Sequence, residues 1–99
     1  MFSDETEKKV DELIKAEYEN ACLLYGEKFA NRNLALGVLY EEIYEVKKEW
    51  HKIKDISLPD FIEHGFITET DIDIVKNLIK EAAQVAAVMM KIRNSEDLD

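Results

Sequence analysis

The chain has few of the residues that interrupt helices. Only three glycines and one proline occur among its 99 residues, whereas a fold of many short strands needs frequent turn residues. Hydrophobic residues make up 46% of the sequence, a share that argues against disorder and suits packed secondary structure. The sequence therefore predicts a few long helices in one all-α domain that spans residues 1–99.

Cysteines and long apolar runs are also scarce. Cys22 is the only cysteine, so the chain cannot form an internal disulfide, and a reducing cytoplasmic location is expected. No apolar run reaches the roughly 18 to 20 residues that cross a bilayer. A membrane-spanning segment is therefore not expected.

Basic residues are outnumbered by acidic ones. Lys and Arg together number 13 against 22 Asp and Glu, which gives a formal net charge of −9. The basic residues are spread along the chain beside acidic ones, so no basic cluster offsets the repulsion from a phosphate backbone. Binding to nucleic acid or to an anionic membrane is not expected. If the ligand is a phosphate compound, a divalent cation is the simplest group to neutralise the charges of ligand and protein.

The first of three long predicted helices covers about residues 4–25. Ser3 is a suitable N-cap, and Gly26 can adopt the positive φ that ends a helix. Between them apolar residues recur three and four positions apart, which is typical of a helix with one buried face. These residues are Val10, Leu13, Ile14, Tyr18, Ala21, Cys22 and Tyr25.

The same periodicity predicts the other two long helices. The second covers about residues 33–54, after a polar run that supplies its cap. The third covers about residues 70–94, and Thr68 with Asp71 has the spacing of a capping box in front of it. Its stretch at 82–90, AAQVAAVMM, is apolar on nearly every face, so this helix is expected to lie at the centre of its bundle or between subunits.

A short helix is predicted between the second and third long ones. The segment Ser57-Leu58-Pro59-Asp60 combines a cap with a proline in the first turn, which favours a helix over about 58–64 that ends at Gly65. With this helix the predicted architecture is four-helix-bundle-like.

The apolar last helix also predicts assembly. Ala83, Ala86 and Met90 lie opposite Gln84 and Val88 on a helical wheel, and a single bundle layer cannot cover both faces. A homo-oligomer, either a dimer or a dimer of dimers, is therefore expected.

Four carboxylates crowd the middle of the second helix. Glu42 and Glu45 lie three residues apart at the margin of the apolar face, with Glu49 on the same flank, whereas Glu41 points away. Partial burial of like charges costs on the order of several kcal/mol per ion. A bound divalent metal would remove that penalty. Hard oxygen ligands of this kind suit Mg²⁺, or alternatively Mn²⁺, whereas zinc would require Cys or His ligands.

The last helix supplies a second pair of oxygen ligands. Glu81 and Gln84 are three residues apart, on a helix that is otherwise becoming fully apolar. If this face lies against Glu42 and Glu45, three carboxylates and an amide converge inside an all-α bundle. Such a cluster is a known way to build a magnesium site.

At these residues the chain resembles the MazG-like nucleotide pyrophosphohydrolases, an all-α family marked by EExxE on one helix and ExxD on a later one. The first motif stands here as Glu41-Glu42-Ile43-Tyr44-Glu45, and the second is matched by Glu81-Ala-Ala-Gln84. The run from Glu81 onward is also similar to a branch of the family whose last helix reads E-x-x-Q-V-A-A. The likeness covers about residues 25–93.

The resemblance implies a reaction and a set of ligands. Glu42, Glu45 and Glu81 would hold Mg²⁺, with Gln84 as the fourth ligand, and the ion would bind the phosphates of a nucleoside triphosphate. Water would attack the α-phosphorus, releasing pyrophosphate and a nucleoside monophosphate. Glu41 would be an outer-shell base or simply a surface residue. Gln84 departs from the wider family, which has Asp at this position.

The same residues can also be explained by structural roles alone. The acidic run would then be a solvated helix face with ordinary ion pairs between Glu45 and Lys48 and between Glu49 and Lys52. Glu81 would pair with a lysine, and Gln84 would be a buried amide bonded to backbone. The chain would then be a non-enzymatic helical interaction module. A third alternative is a relative of the family that binds nucleotide without turning it over.

Overall fold

The computed structural model describes residues 3–26, 28–54 and 68–95, which form three α-helices and no strand. These are α1 (Asp4–Tyr25), α2 (Arg32–Lys54) and α3 (Glu69–Asn94). The prediction of an all-α chain is confirmed, and each helix begins and ends within one residue of its predicted bounds. No helix in these ranges combines the length and the apolar character needed to cross a membrane.

The predicted caps account for the ends of α1. Ser3 Oγ accepts a hydrogen bond from the Thr6 N–H at 3.2 Å. Gly26 has φ +87° and donates its N–H to the Cys22 carbonyl at 2.8 Å. A side chain at this φ would be strained, so glycine ends the helix where the sequence predicted.

The starts of α2 and α3 are also capped. Asn31 Oδ1 accepts a hydrogen bond from the Leu34 N–H at 2.9 Å, so α2 begins one residue earlier than predicted. At α3 the Asp71 N–H donates to Thr68 Oγ1 and the Thr68 N–H donates to Asp71 Oδ2, at 3.3 and 3.0 Å. This is the capping box that the spacing predicted.

A four-helix bundle is not supported by the described residues, which contain three helices. The short helix predicted over 58–64 lies outside these residues.

α3 is the central helix, because both α1 and α2 pack against it. The side chains buried on it include Ala83 and Ala87, whose small size lets the flanking helices approach closely. Asn94 Nδ2 donates to the Tyr18 hydroxyl at 2.9 Å and so ties the end of α3 to α1. The sequence predicted that the apolar last helix lies either at the centre of its bundle or between subunits, and the central position is confirmed.

The core that these three helices share is thin. No large side chain in the described ranges is fully buried. Many large apolar side chains are instead at least a third exposed, including Leu23, Tyr40, Tyr44, Trp50, Ile72, Val75, Ile79 and Met89. The described helices therefore leave much apolar surface uncovered, whereas a domain of this length normally depends on one well-filled core.

Candidate functional site

A cleft of about 560 Å³ lies between α1 and α2, with α3 as its floor. Its volume is within the usual range of small-ligand sites. Ala87 and Val88 form the apolar part of the floor, and both are buried. The walls combine apolar and polar groups from α1, from the following loop and from α2: Glu17, Asn20, Ala21, Leu24, Lys28, Phe29, Ala30, Leu34, Val38, Glu41 and Glu42.

At one end of the floor, Gln84 meets two carboxylates from different helices. One terminal atom of its side-chain amide lies 3.0 Å from Glu42 Oε2 on α2 and 3.0 Å from Glu81 Oε2 on α3. Glu81 and Gln84 share a face because they are three residues apart on one helix. Three of the four side chains predicted to converge therefore meet here.

The amide of Gln84 can meet the two carboxylates in two ways. If the atom between them is the nitrogen, it donates a hydrogen bond to each. If the amide is turned so that the oxygen is there, three oxygens face one another, and the arrangement is favourable only when a bound cation or a proton on one carboxyl lies between them. In both cases Gln84 interacts with carboxylates, and the alternative that its amide bonds only to backbone does not describe this site.

The electrostatics of the cluster favour the uptake of positive charge. Burial raises the pKa of Glu42, and the negative charges of Glu81, Glu41 and Glu45 raise it further. Burial likewise raises the pKa of Glu81, with further increases from carboxylates that include Glu45 and Glu49, while Lys48 lowers it. Ionised carboxylates are therefore disfavoured here unless a cation compensates them.

The other predicted acidic residues lie around this cluster in different ways. Glu45 is close enough to raise the pKa of both Glu42 and Glu81, yet its Oε2 lies 3.5 Å from the Lys48 ammonium, the pair that the structural alternative predicted. Glu41 is exposed and lines the cleft beside Glu42. In residues 3–26, 28–54 and 68–95, no three Asp, Glu, His or Cys side chains group closely enough to hold a metal ion by themselves. The convergent group is thus two carboxylates and one amide.

Glu49 is more enclosed than the sequence indicated. Its Oε1 accepts a hydrogen bond from the Lys52 ammonium at 3.0 Å, again a predicted pair. Its Oε2 is buried and has no hydrogen-bond partner in the part of the chain that the structure describes. Because it also raises the pKa of Glu81, Glu49 adds negative charge to the cluster from the following turn of α2.

The opposite end of the cleft floor carries a buried cation. Lys91 is only 3% exposed, and its ammonium lies 4.3 Å from the centroid of the Phe29 ring. Ser95 Oγ accepts the Phe29 N–H at 2.9 Å and donates to the Lys91 carbonyl at 2.7 Å, which fixes the loop on the end of α3. Seven residues separate Gln84 from Lys91, which corresponds to about 10 Å along the helix.

Sequence reasoning missed the contribution of α1 and did not single out Lys91. Glu17 and Asn20 line the cleft, but nothing in an amphipathic helix marks them as facing a ligand. Lys91 carried a usable signal, since its seven-residue spacing from Gln84 places both on one face. Tyr40, Tyr44 and Trp50 do not line this cleft, and their side chains are 65%, 61% and 53% exposed.

A scan against protein-family models found no match for this chain, and neither did searches of curated proteins and of solved structures.

Proposed function

We propose that this chain is a Mg²⁺-dependent nucleoside triphosphate pyrophosphohydrolase of the MazG-like kind, which hydrolyses a ribo- or deoxyribonucleoside triphosphate to the monophosphate and pyrophosphate. The observation that carries the proposal is the meeting of Glu42, Glu81 and Gln84 at the edge of a nucleotide-sized cleft. The two motifs that prompted the resemblance contribute these residues from separate helices.

The chemistry of the three side chains suits magnesium. With its amide turned so that the oxygen faces the carboxylates, Gln84 would offer a third oxygen ligand beside Glu42 and Glu81, and oxygen ligands are the ones that Mg²⁺ prefers. The set of two carboxylates and an amide oxygen leaves coordination positions for phosphate oxygens and water, as is usual for magnesium. Manganese, with the same preference for oxygen, would fit as well.

Each side chain has a distinct task in this proposal. Glu42, Glu81 and Gln84 hold the cation, and Glu45 adds charge close to it. When bound, Mg²⁺ would neutralise the phosphates and lower the pKa of a coordinated water. Glu41, exposed on the cleft wall beside Glu42, is the candidate to accept the proton of the attacking water.

The rest of the cleft supports a nucleotide rather than a bare phosphate. Its apolar floor and its side chains Leu24, Leu34 and Phe29 suit a nucleoside, and it extends about 10 Å from Gln84 to Lys91. Two lysines, Lys28 and Lys91, are among the residues that line it. The proposal includes a bundle completed by further helical packing, a cytoplasmic location and a homo-oligomeric assembly.

Thermal melts against pH, with and without Mg²⁺, test the cation site. The pKa values of Glu42 and Glu81 are raised in the folded chain, so between the unfolded and folded pKa values the folded state binds more protons. Stability without metal should therefore fall as pH rises through that window. Added Mg²⁺ binds the ionised carboxylates, so its increase in Tm should grow with pH and disappear as pH falls through the raised folded-state pKa values of these carboxyls.

The control is the doubly substituted chain Glu42→Gln/Glu81→Gln, which retains all other carboxylates. Its Tm should respond less to pH in this window and should not rise with Mg²⁺. If the chain is a non-enzymatic interaction module, Mg²⁺ should leave the wild-type Tm unchanged at every pH. That result would rule out the cation site.

A further inference from the structure

The face of α3 that points away from the cleft carries a continuous apolar stripe. Ile72, Val75, Ile79 and Met89 are 42%, 43%, 53% and 56% exposed, and Ala82 and Ala86 lie between Ile79 and Met89 with exposed and half-buried side chains. On a helical wheel this stripe is opposite Gln84. The helix therefore has one face covered by α1 and α2 and another covered by nothing in the described ranges.

The spacing along this stripe is that of a helix-pairing seam. Its six positions follow one another at intervals of three, four, three, four and three residues, the repeat that keeps an apolar seam facing a partner helix. They extend about 26 Å along α3. The alanines make part of the seam flat, so that a second helix can approach closely.

The seam can pair with a second copy of itself that runs in the opposite direction. In an antiparallel pair of identical helices, Ile72 falls beside Met89 of the other copy, Val75 beside Ala86 and Ile79 beside Ala82. Each of the six positions thus meets another seam position, and a large side chain faces a small one in the two central pairs. This is the residue exchange that a two-fold interface requires.

Charge also favours the antiparallel orientation. The first turn of α3 carries Glu69 and Asp71, and its last turn carries Lys91 and Arg93. Antiparallel pairing brings the exposed Arg93 next to the acidic first turn of the other copy, whereas parallel pairing would bring like charges together.

We propose that a second copy of this chain covers the seam, with the two α3 helices antiparallel in this register. This interface differs from the one that the sequence predicted, which included Ala83, Ala86 and Met90. Ala83, expected on it, is only 5% exposed because its own chain covers it, whereas Ala86 belongs to the seam. This assembly does not depend on the proposed hydrolysis, because the seam and the carboxylate cluster lie on opposite faces of α3.

Light scattering at micromolar concentration gives the first test. The wild-type chain should have at least twice its mass of 11.5 kDa. Ile79→Glu places a charge at the centre of the seam and should yield monomer with unchanged helicity. Leu23→Glu is the matched control on α1, since Leu23 is 86% exposed and off the seam, and it should assemble as the wild type does. A wild-type monomer, as expected if residues 55–67 cover the seam, or an Ile79→Glu chain of unchanged mass, would overturn the proposal.

Disulfide trapping tests the register. In a Cys22→Ser background, Val75→Cys/Ala86→Cys should oxidise to a covalent dimer, because each new cysteine faces its counterpart across the interface. The two positions are about 16 Å apart within one helix, too far for a bridge inside one chain. Val75→Cys alone should remain uncrosslinked. A covalent dimer from that single variant would indicate parallel pairing and overturn the register, as would failure of the double variant to crosslink.

Discussion

Glu81→Gln and Glu42→Gln should each lower the rate of pyrophosphate release by on the order of a hundredfold or more, because the loss of a charged ligand removes several kcal/mol of stabilisation at the metal. The fold should survive both changes. In the metal-free chain the pKa values of these carboxyls are raised by burial and by neighbouring negative charge, so each neutral variant should melt at or above the wild-type temperature.

The comparison requires rate and stability on the same preparations. Glu12→Gln is the matched control, since Glu12 is an exposed carboxylate on α1 that does not line the cleft, and it should change neither rate nor Tm appreciably. If Glu81→Gln or Glu42→Gln unfolded the chain, the carboxylate would be a partner in a structural ion pair and its assignment as a ligand would be wrong.

Gln84→Glu should have opposite effects with and without magnesium. The substitution keeps the length of the side chain and replaces the amide by a third carboxylate, 3.0 Å from oxygens of Glu42 and Glu81. Without metal, repulsion and the lost hydrogen bonds should cost about 2 kcal/mol of stability. With Mg²⁺ the added charge should tighten binding by about tenfold, because affinity in oxygen sites rises with ligand charge.

Calorimetric titration with Mg²⁺ and thermal melts in its presence and absence measure both effects. Gln84→Met, of similar length and without a ligand oxygen, should weaken Mg²⁺ binding and serves as the comparison. If Gln84 acts only as a hydrogen-bond donor between two carboxylates, Gln84→Glu will be destabilised equally in both conditions. That result would exclude Gln84 as a metal ligand.

The helices were predictable because their signals are local. Ser3, Gly26 and Thr68 act on backbone groups within a few residues of themselves, and the apolar repeat is a property of each helix alone. Bounds within one residue follow from such signals. The arrangement of the helices around α3 depends on which small residues allow close approach, and single-sequence periodicity does not rank Ala83 against Ala82.

The residues of the candidate site were predictable from the sequence, but the contacts among them were not. Spacing placed Glu81 with Gln84 on one helix face, and the resemblance paired them with the acidic run on α2. Sequence could not distinguish Glu42, which meets Gln84, from Glu45, which pairs with Lys48, because both lie on the same flank. That difference depends on how α2 packs against α3, a tertiary property that no local pattern encodes. The burial of Lys91 is also tertiary, since the Phe29 ring of the loop after α1 lies 4.3 Å from its ammonium.

The most direct test of the proposed function is incubation of the wild-type chain with a panel of ribo- and deoxyribonucleoside triphosphates and Mg²⁺, scored separately for pyrophosphate and for inorganic phosphate. The account predicts pyrophosphate and nucleoside monophosphate in equal amounts from at least one nucleotide, with no reaction in EDTA and recovery when Mg²⁺ is restored. Release of inorganic phosphate, turnover that persists in EDTA, or no turnover of any nucleotide would contradict it.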